Sequence, residues 1–213
     1  MTIKSLKKQN HSLANSQNQL VELERGVVVQ DLDRFSKKLE NINLFPLKPT
    51  EIDVFQINMG KMCNQVCAHC HVDAGPDRKE IMTKETLQEC LNAIKKSGIK
   101  TVDLTGGAPE MNPNFRWFVE EAFKLNCHII VRCNLTIIVA NKKYNDLPEF
   151  YKKHNVEIAS SLPFYNAKKT DSQRGDGVFD KSITALQMLN KVGYGIEGSG
   201  LVLNLVYNSS GAF

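Results

Sequence analysis

The sequence predicts an α/β fold: a partial (βα)6-type, TIM-like barrel with about five parallel strands. Three observations carry this reading. From residue 51 onward, strand-like and helix-like segments alternate, the rhythm of parallel strands joined by helical crossovers. The strands themselves alternate polar with apolar residues, whereas an open sheet covered on both faces has near-continuous apolar strands. One face therefore lies beneath helices and the other lines a cavity. Finally, a cysteine-rich loop directly follows the first strand, at the strand end where such barrels hold their ligands.

Residues 1–20 are polar and aperiodic and read as a loose tail. Leu32, Phe35 and Leu39 recur at helical spacing and predict a short helix ending before FPLKPT, whose Pro46 and Pro49 mark a connector. The lead-in thus occupies 1–50 and the core domain 51–213. The first strand is IDVFQINMG (52–60), with Gln56 and Asn58 on its polar face and Phe55 and Ile57 opposite. KETLQECLNAIKKSG (84–98) is a helix with Thr83 as N-cap, Leu87, Cys90, Leu91 and Ile94 on one stripe, and Gly98 as its stop.

The second strand, KTVDLTGG (100–107), sets Thr101, Asp103 and Thr105 against Val102 and Leu104. NPNFRWFVEEAFKLN (112–126) is a helix capped by Asn112, with Pro113 at its first position and Phe115, Phe118, Val119, Ala122 and Phe123 inward. HIIVRCNL (128–135) is the third strand, with Arg132 and Asn134 on the polar face. NDLPEFYKKH is a short helix, NVEIASSL the fourth strand, DKSITALQMLNKVG a helix and GLVLNLVYN the fifth strand.

With 42% hydrophobic and 23% charged residues and a net charge of +4, the composition is that of a soluble globular chain. The lysines come as scattered pairs without interleaved aromatics, which argues against a nucleic-acid face. No apolar run reaches membrane-spanning length and no secretory signal opens the chain, so a cytoplasmic placement is expected. In a reducing compartment the six cysteines read as metal ligands or buried thiols.

Three of them cluster in MCNQVCAHCHVDAGP (62–76), as Cys63, Cys67 and Cys70. Soft thiolates at this spacing admit three readings. Structural zinc needs a fourth ligand from His69, His71 or a distant cysteine. An ordinary iron–sulfur cubane needs four thiolates. A cubane left one ligand short keeps an open iron for a substrate, as catalytic metal sites do. Strand two ends in TGGAPE (105–110), where Gly106 and Gly107, without Cβ atoms, let main chain approach a ligand closely. Asn134 and Ser161 end strands three and four at cavity positions and are candidates for reaching ribose or carboxylate. His71 reads equally as a local hydrogen-bonding side chain. Cys90, Cys127 and Cys133 read as buried thiols. Arg174-Gly175-Asp176 matches a cell-adhesion tripeptide, by chance in a cytoplasmic loop.

The C-x3-C-x2-C loop after the first barrel strand, followed by the Gly-Gly segment after the second, resembles the radical S-adenosylmethionine (SAM) superfamily. The resemblance implies a [4Fe–4S] cluster on Cys63, Cys67 and Cys70, with SAM on the open iron. It implies main-chain contacts from Gly106, Gly107, Ala108 and Pro109 to the methionyl amino group, although Ala108 stands where that superfamily usually has Glu. His69 falls where an aromatic ring commonly meets the adenine. A one-electron donor such as a flavodoxin or ferredoxin is the implied protein partner.

More narrowly, QINMGKMCNQVCAHCHVDAGP, TVDLTGGAPEMNPNF, VRCNLT, SLPFY, TDSQRGDGVFD and GSGLVLNLVYN resemble the arsenosugar-biosynthesis radical SAM (radical SAM/Cys-rich) proteins. Those are thought to join the 5′-deoxyadenosyl group to a methylated trivalent arsenical. They continue past YNSSGAF into a cysteine-containing C-terminal region and gain a sixth strand, so the chain is expected to be a C-terminally truncated core or to work with a partner. Two alternatives stand beside this expectation: a radical enzyme abstracting hydrogen from a peptide or small metabolite, and a non-catalytic zinc or iron–sulfur module.

Overall fold

A computed structural model describes residues 4–25, 33–68 and 70–207. The chain divides into two compact units, one of residues Leu6–Ile52 and one running from Asp53 onward together with Ser5. In the first unit, α1 (Ser16–Arg25) corrects the expectation of a loose tail. Its start is held locally, because Asn15 Oδ1 accepts from the Gln17 amide at 2.8 Å. The predicted short helix is α2 (Phe35–Asn41), with Leu39 buried and Phe35 exposed; Leu32 lies outside the described residues.

The second unit is a five-stranded sheet, β1 (Val54–Asn58), β2 (Thr101–Thr105), β3 (His128–Cys133), β4 (Glu157–Ser161) and β5 (Leu203–Val206). All neighbours are parallel and their spatial order equals their sequence order. This is the progression of a barrel wall, and β1 and β5 are its edges. Crossovers run through α3 (Lys84–Ser97), α4 (Phe115–Lys124), α5 (Thr136–Ala140), α6 (Leu147–Lys153), α7 (Ala167–Arg174) and α8 (Val178–Val192).

The alternation in the strands sorts as expected. Ile57, Val102, Leu104, Ile129, Val131, Cys133 and Ile158 are buried in the core with Leu87, Leu91 and Ile94 of α3 and Phe115, Phe118 and Val119 of α4. On the opposite face Arg132 grips Asp103 with two bonds of 2.9 Å, and Gln56 Nε2 donates to the same carboxylate at 2.8 Å. Burial pushes the Asp103 carboxyl up, but these donors and the Arg132 charge outweigh it and leave it below the usual range. That pairing is what lets a carboxylate lie buried mid-strand.

The ends of α3 match the sequence: Thr83 accepts from the Thr86 amide, and Gly98 closes the helix at φ +75°. The start of α4 does not. Helix α4 begins at Phe115, and Asn112 is a staple rather than its cap. Its Nδ2 donates to the Met59 and Met82 carbonyls at 3.0 and 2.9 Å, and its Oδ1 accepts from Asn114. Phe123, expected inward, is exposed and meets His154 edge-on. Helices α5 and α7 were not legible as elements. Helix α7 has hardly any apolar face and is held by side-chain caps: Asn166 accepts from Lys169 N at its start. At its end Asp171 takes the amides of Gly177 and Phe179, both at 2.8 Å.

Candidate functional site

The site lies where β1 and β2 end. Chain leaving β1 turns at Gly60 and runs alongside the chain leaving β2, joined by two main-chain bonds: Gly107 N to Gly60 O at 2.9 Å and Ala108 N to Met62 O at 2.8 Å. The two glycines of TGGAPE permit this contact. A Cβ on Gly107 would stand 2.4 Å from Met62 O, and one on Gly106, at φ +139°, 2.6 Å from Gly60 O. Their missing side chains thus admit the cysteine loop's own backbone, a closer tie between the two motifs than the sequence spacing discloses. Pro109 is buried in the turn that follows.

The loop is fixed along its length. Cys63 N donates to Gly75 O, Gly75 N to Lys61 O, and Ala68 N to Gln173 O at 2.9 Å. Arg78, buried, ties the far side through Asp73 and Glu80. Cys63 is buried, Cys67 and Cys70 half-buried, and all three are free thiols. Burial pushes the Cys63 thiol up to about 11, with the neighbouring Cys67 and Cys70 adding to the shift and donors from Gln65 and Asn134 opposing it. Burial raises Cys67 too, against the pull of the nearby Arg174 charge.

Two of the thiols accept hydrogen bonds. Cys70 Sγ accepts from Ala74 N at 3.2 Å, and Asn134 Nδ2 lies 3.6 Å from Cys63 Sγ. Among the described residues no three His, Cys, Asp or Glu side chains stand ready around one point for a metal ion. His69 lies outside the described residues, and His71 is exposed.

Asn134, just past β3, is buried and turned toward the cysteine loop: its Nδ2 also donates to Asn64 Oδ1 at 2.8 Å, and its Oδ1 takes Thr136 Oγ1 at 3.1 Å. Ser161 ends β4, half-buried. Sequence reading missed Asn64, Gln65 and Arg174. The first two lie between Cys63 and Cys67, and that position was the signal that could have found them. Arg174 was hidden in the adhesion-like tripeptide, yet it is buried and donates to Gln65 Oε1 at 3.2 Å and Asn134 Oδ1 at 3.4 Å. Two buried donors in this network, Arg174 Nε and Gln65 Nε2, have no acceptor.

Cys133 points under the helices, with Glu110 and Tyr151. Tyr151 Oη donates to Glu110 Oε1 at 2.6 Å, while Oε2 has no partner. Burial holds this carboxyl above its ordinary range, the tyrosine opposing only in part. A raised acid stabilises the fold below its unfolded pKa, and that stabilisation is lost as pH climbs toward the folded value. Across that window each pH unit costs the native protein about 1.4 kcal/mol. Glu110→Gln should therefore gain on the native chain in melting temperature as pH rises above the ordinary carboxylate range. A margin independent of pH in thermal melts contradicts the assignment.

Cys127 is buried at the start of β3, and Cys90 is half-buried against the core. Among the described residues no helix is long and apolar enough to cross a membrane.

Comparison with known proteins agrees with this geometry. The chain is 24% identical over 173 residues to the probable GTP 3′,8-cyclase of Pyrococcus horikoshii, covering 81% of this chain and 50% of that one. It is 26% identical over 132 residues to the subtilosin biosynthesis protein AlbA of Bacillus subtilis, covering 62% and 29%. The chain thus spans about half or less of the curated relatives it matches. Its fold is similar to Streptococcus suis SuiB at 17% identity, with a TM-score of 0.58 over 92% of this chain and 44% of SuiB. The form of SuiB bound to SAM gives 0.56 over 84% and 42%. The Radical SAM superfamily model matches residues 57–207, from the end of β1 through β5. The chain belongs to the radical SAM superfamily, whose enzymes use a [4Fe–4S] cluster and SAM.

Proposed function

We propose that Cys63, Cys67 and Cys70 hold the cluster, and that the protein is a radical enzyme whose product is a 5′-deoxyadenosyl group joined to a methylated trivalent arsenical. One observation carries the first half: three thiols on one loop after β1, bonded through main chain to the Gly106–Ala108 turn after β2. The donor set fits the group. Three thiols with no fourth cysteine on the loop leave one iron position for SAM, and soft sulfur suits iron in a cubane.

When bound, the reduced cluster and SAM supply a 5′-deoxyadenosyl radical. The chain's own residues bind and orient. Gly106, Gly107, Ala108 and Pro109 place main chain beside the cysteine loop, where the methionyl amino group would lie. Asp103, Arg132 and Gln56 form a rigid polar patch on the inner face against which a nucleoside can be ordered. Ser161, at the end of β4, offers a hydroxyl at the same end of the sheet. The bonds of Asn134 to Cys63 and Asn64 support a part in the cluster's surroundings in place of the expected reach to ribose.

The arsenical rests on the resemblance of six segments of the core to the arsenosugar-biosynthesis proteins. Trivalent arsenic has a lone pair and low-lying orbitals to which a carbon radical can add; the unpaired electron of the adduct would pass back to the oxidised cluster, leaving pentavalent arsenic bonded to C5′. A second reading is favoured by the names of the relatives, a cyclase and a bacteriocin biosynthesis protein: hydrogen abstraction from a small metabolite or a peptide. The products separate the two. Protein, reductant, SAM and dimethylated trivalent arsenic should give an adenosine carrying arsenic at C5′, read by mass spectrometry. Free 5′-deoxyadenosine alone would transfer the assignment to hydrogen abstraction. A flavodoxin or ferredoxin is the proposed source of the electron.

A further inference from the structure

Arg174 is 8% exposed. Among the described residues its hydrogen-bond partners are two neutral amides, Gln65 and Asn134, and no carboxylate pairs with it. A buried guanidinium without a counter-charge is strongly unfavourable, and its Nε has no acceptor. Gln65, equally buried, has an Nε2 in the same condition. Orphaned donors of this kind are costly to bury. Both belong to the network that reaches Cys63 through Asn134, and Gln65 lies between Cys63 and Cys67.

The element beneath is rigid. Helix α7 is capped at its start by Asn166 and pinned by Thr170 Oγ1 to Phe164 O at 2.9 Å, and Asp171 ties its end to α8. Next to Arg174, the Gln173 carbonyl takes the Ala68 amide of the cysteine loop. A fixed positive charge and two unused donors are thus held against the segment between two ligands. A cubane on three thiolates is net negative, becomes more so on reduction, and presents sulfur acceptors. It supplies both the missing counter-charge and the missing acceptors.

We infer that Arg174 is a positioning residue for the cluster: its Nε, with Gln65 Nε2, donates to cluster sulfur, and its charge raises the reduction potential. This rests on Cys63, Cys67 and Cys70 being the ligands. Hydrogen bonds to sulfur and local charge are established determinants of such potentials, and stabilising the reduced state eases its filling by a weak donor.

The test is an EPR-monitored redox titration of the anaerobically reconstituted chain, with iron content and SAM affinity measured alongside. Native protein lacking about four irons per chain would defeat the ligand reading itself, independently of Arg174. On loaded protein, Arg174→Gln should keep its iron while the equilibrium constant for reduction falls about tenfold, which is 59 mV for one electron. Arg174→Lys, which keeps the charge, should stay within about threefold of native, and Gln65→Leu should fall by about threefold. An unchanged midpoint in Arg174→Gln overturns the inference, and unchanged midpoint with weakened SAM binding reassigns the guanidinium to SAM. If Arg174→Gln does not fold, as read by circular dichroism, an unchanged midpoint in Gln65→Leu overturns it instead.

Discussion

Gly107→Ala should abolish iron binding and lower the melting temperature by about 6–12 °C, the shift that about 3 kcal/mol produces in a domain of this size. The cause is a single contact: the new Cβ would stand 2.4 Å from Met62 O and 2.9 Å from Met62 C. Main chain cannot rotate away as a side-chain tip can, so the Met62 peptide must move. That peptide accepts from Ala108 N and leads directly into Cys63. Gly98→Ala is the control for conformation alone, since its φ is +75° with nothing within 4 Å of the added carbon. It should cost about 1–2 kcal/mol and leave iron content unchanged. Equal iron content in Gly107→Ala and native protein would show that the β2 turn does not position the ligands.

Replacing Cys63, Cys67 or Cys70 singly by Ala should remove nearly all cluster iron and the broad brown absorbance, because a cubane already one protein ligand short cannot spare another. Cys90→Ala, Cys127→Ala and Cys133→Ala should load fully. The structure separates the sets: the first three share one loop, while Cys133 is buried beneath the helices with Tyr151 and Cys127 lies at the opposite end of β3 from Asn134. Because burial raises Cys63 to about 11, its proton must leave when iron binds, so loading should weaken as pH falls. Iron lost from Cys133→Ala but retained in Cys67→Ala would overturn the ligand assignment.

The first three strands were legible because each alternates apolar with polar residues, and that period survives local noise; β4 and β5 were legible from their place in the strand–helix rhythm, since β4 buries Ile158, Ala159 and Ser160 in succession and β5 is largely exposed. Helices α3 and α4 were legible through their apolar stripes, Leu87–Leu91–Ile94 and Phe115–Phe118–Val119–Ala122. Helix α7 was not, since its hold comes from caps at Asn166 and Asp171 that period-counting ignores. The five residues of α5, TIIVA, read as easily as a continuing strand. Asn112 carries a cap's side chain before a helix but spends it on two carbonyls that arrive from other parts of the chain. The cysteine loop and the Gly-Gly turn were legible as separate motifs. Their direct main-chain contact, and the burial of Arg174, depend on residues far apart in sequence and emerge only from the fold.

The cysteine loop is held by main-chain bonds of its own, Gly75 N to Lys61 O and Ala68 N to Gln173 O, in which no thiol takes part. Loss of one thiol should therefore remove iron without unravelling the loop, and circular dichroism of Cys67→Ala should match that of native protein prepared without iron.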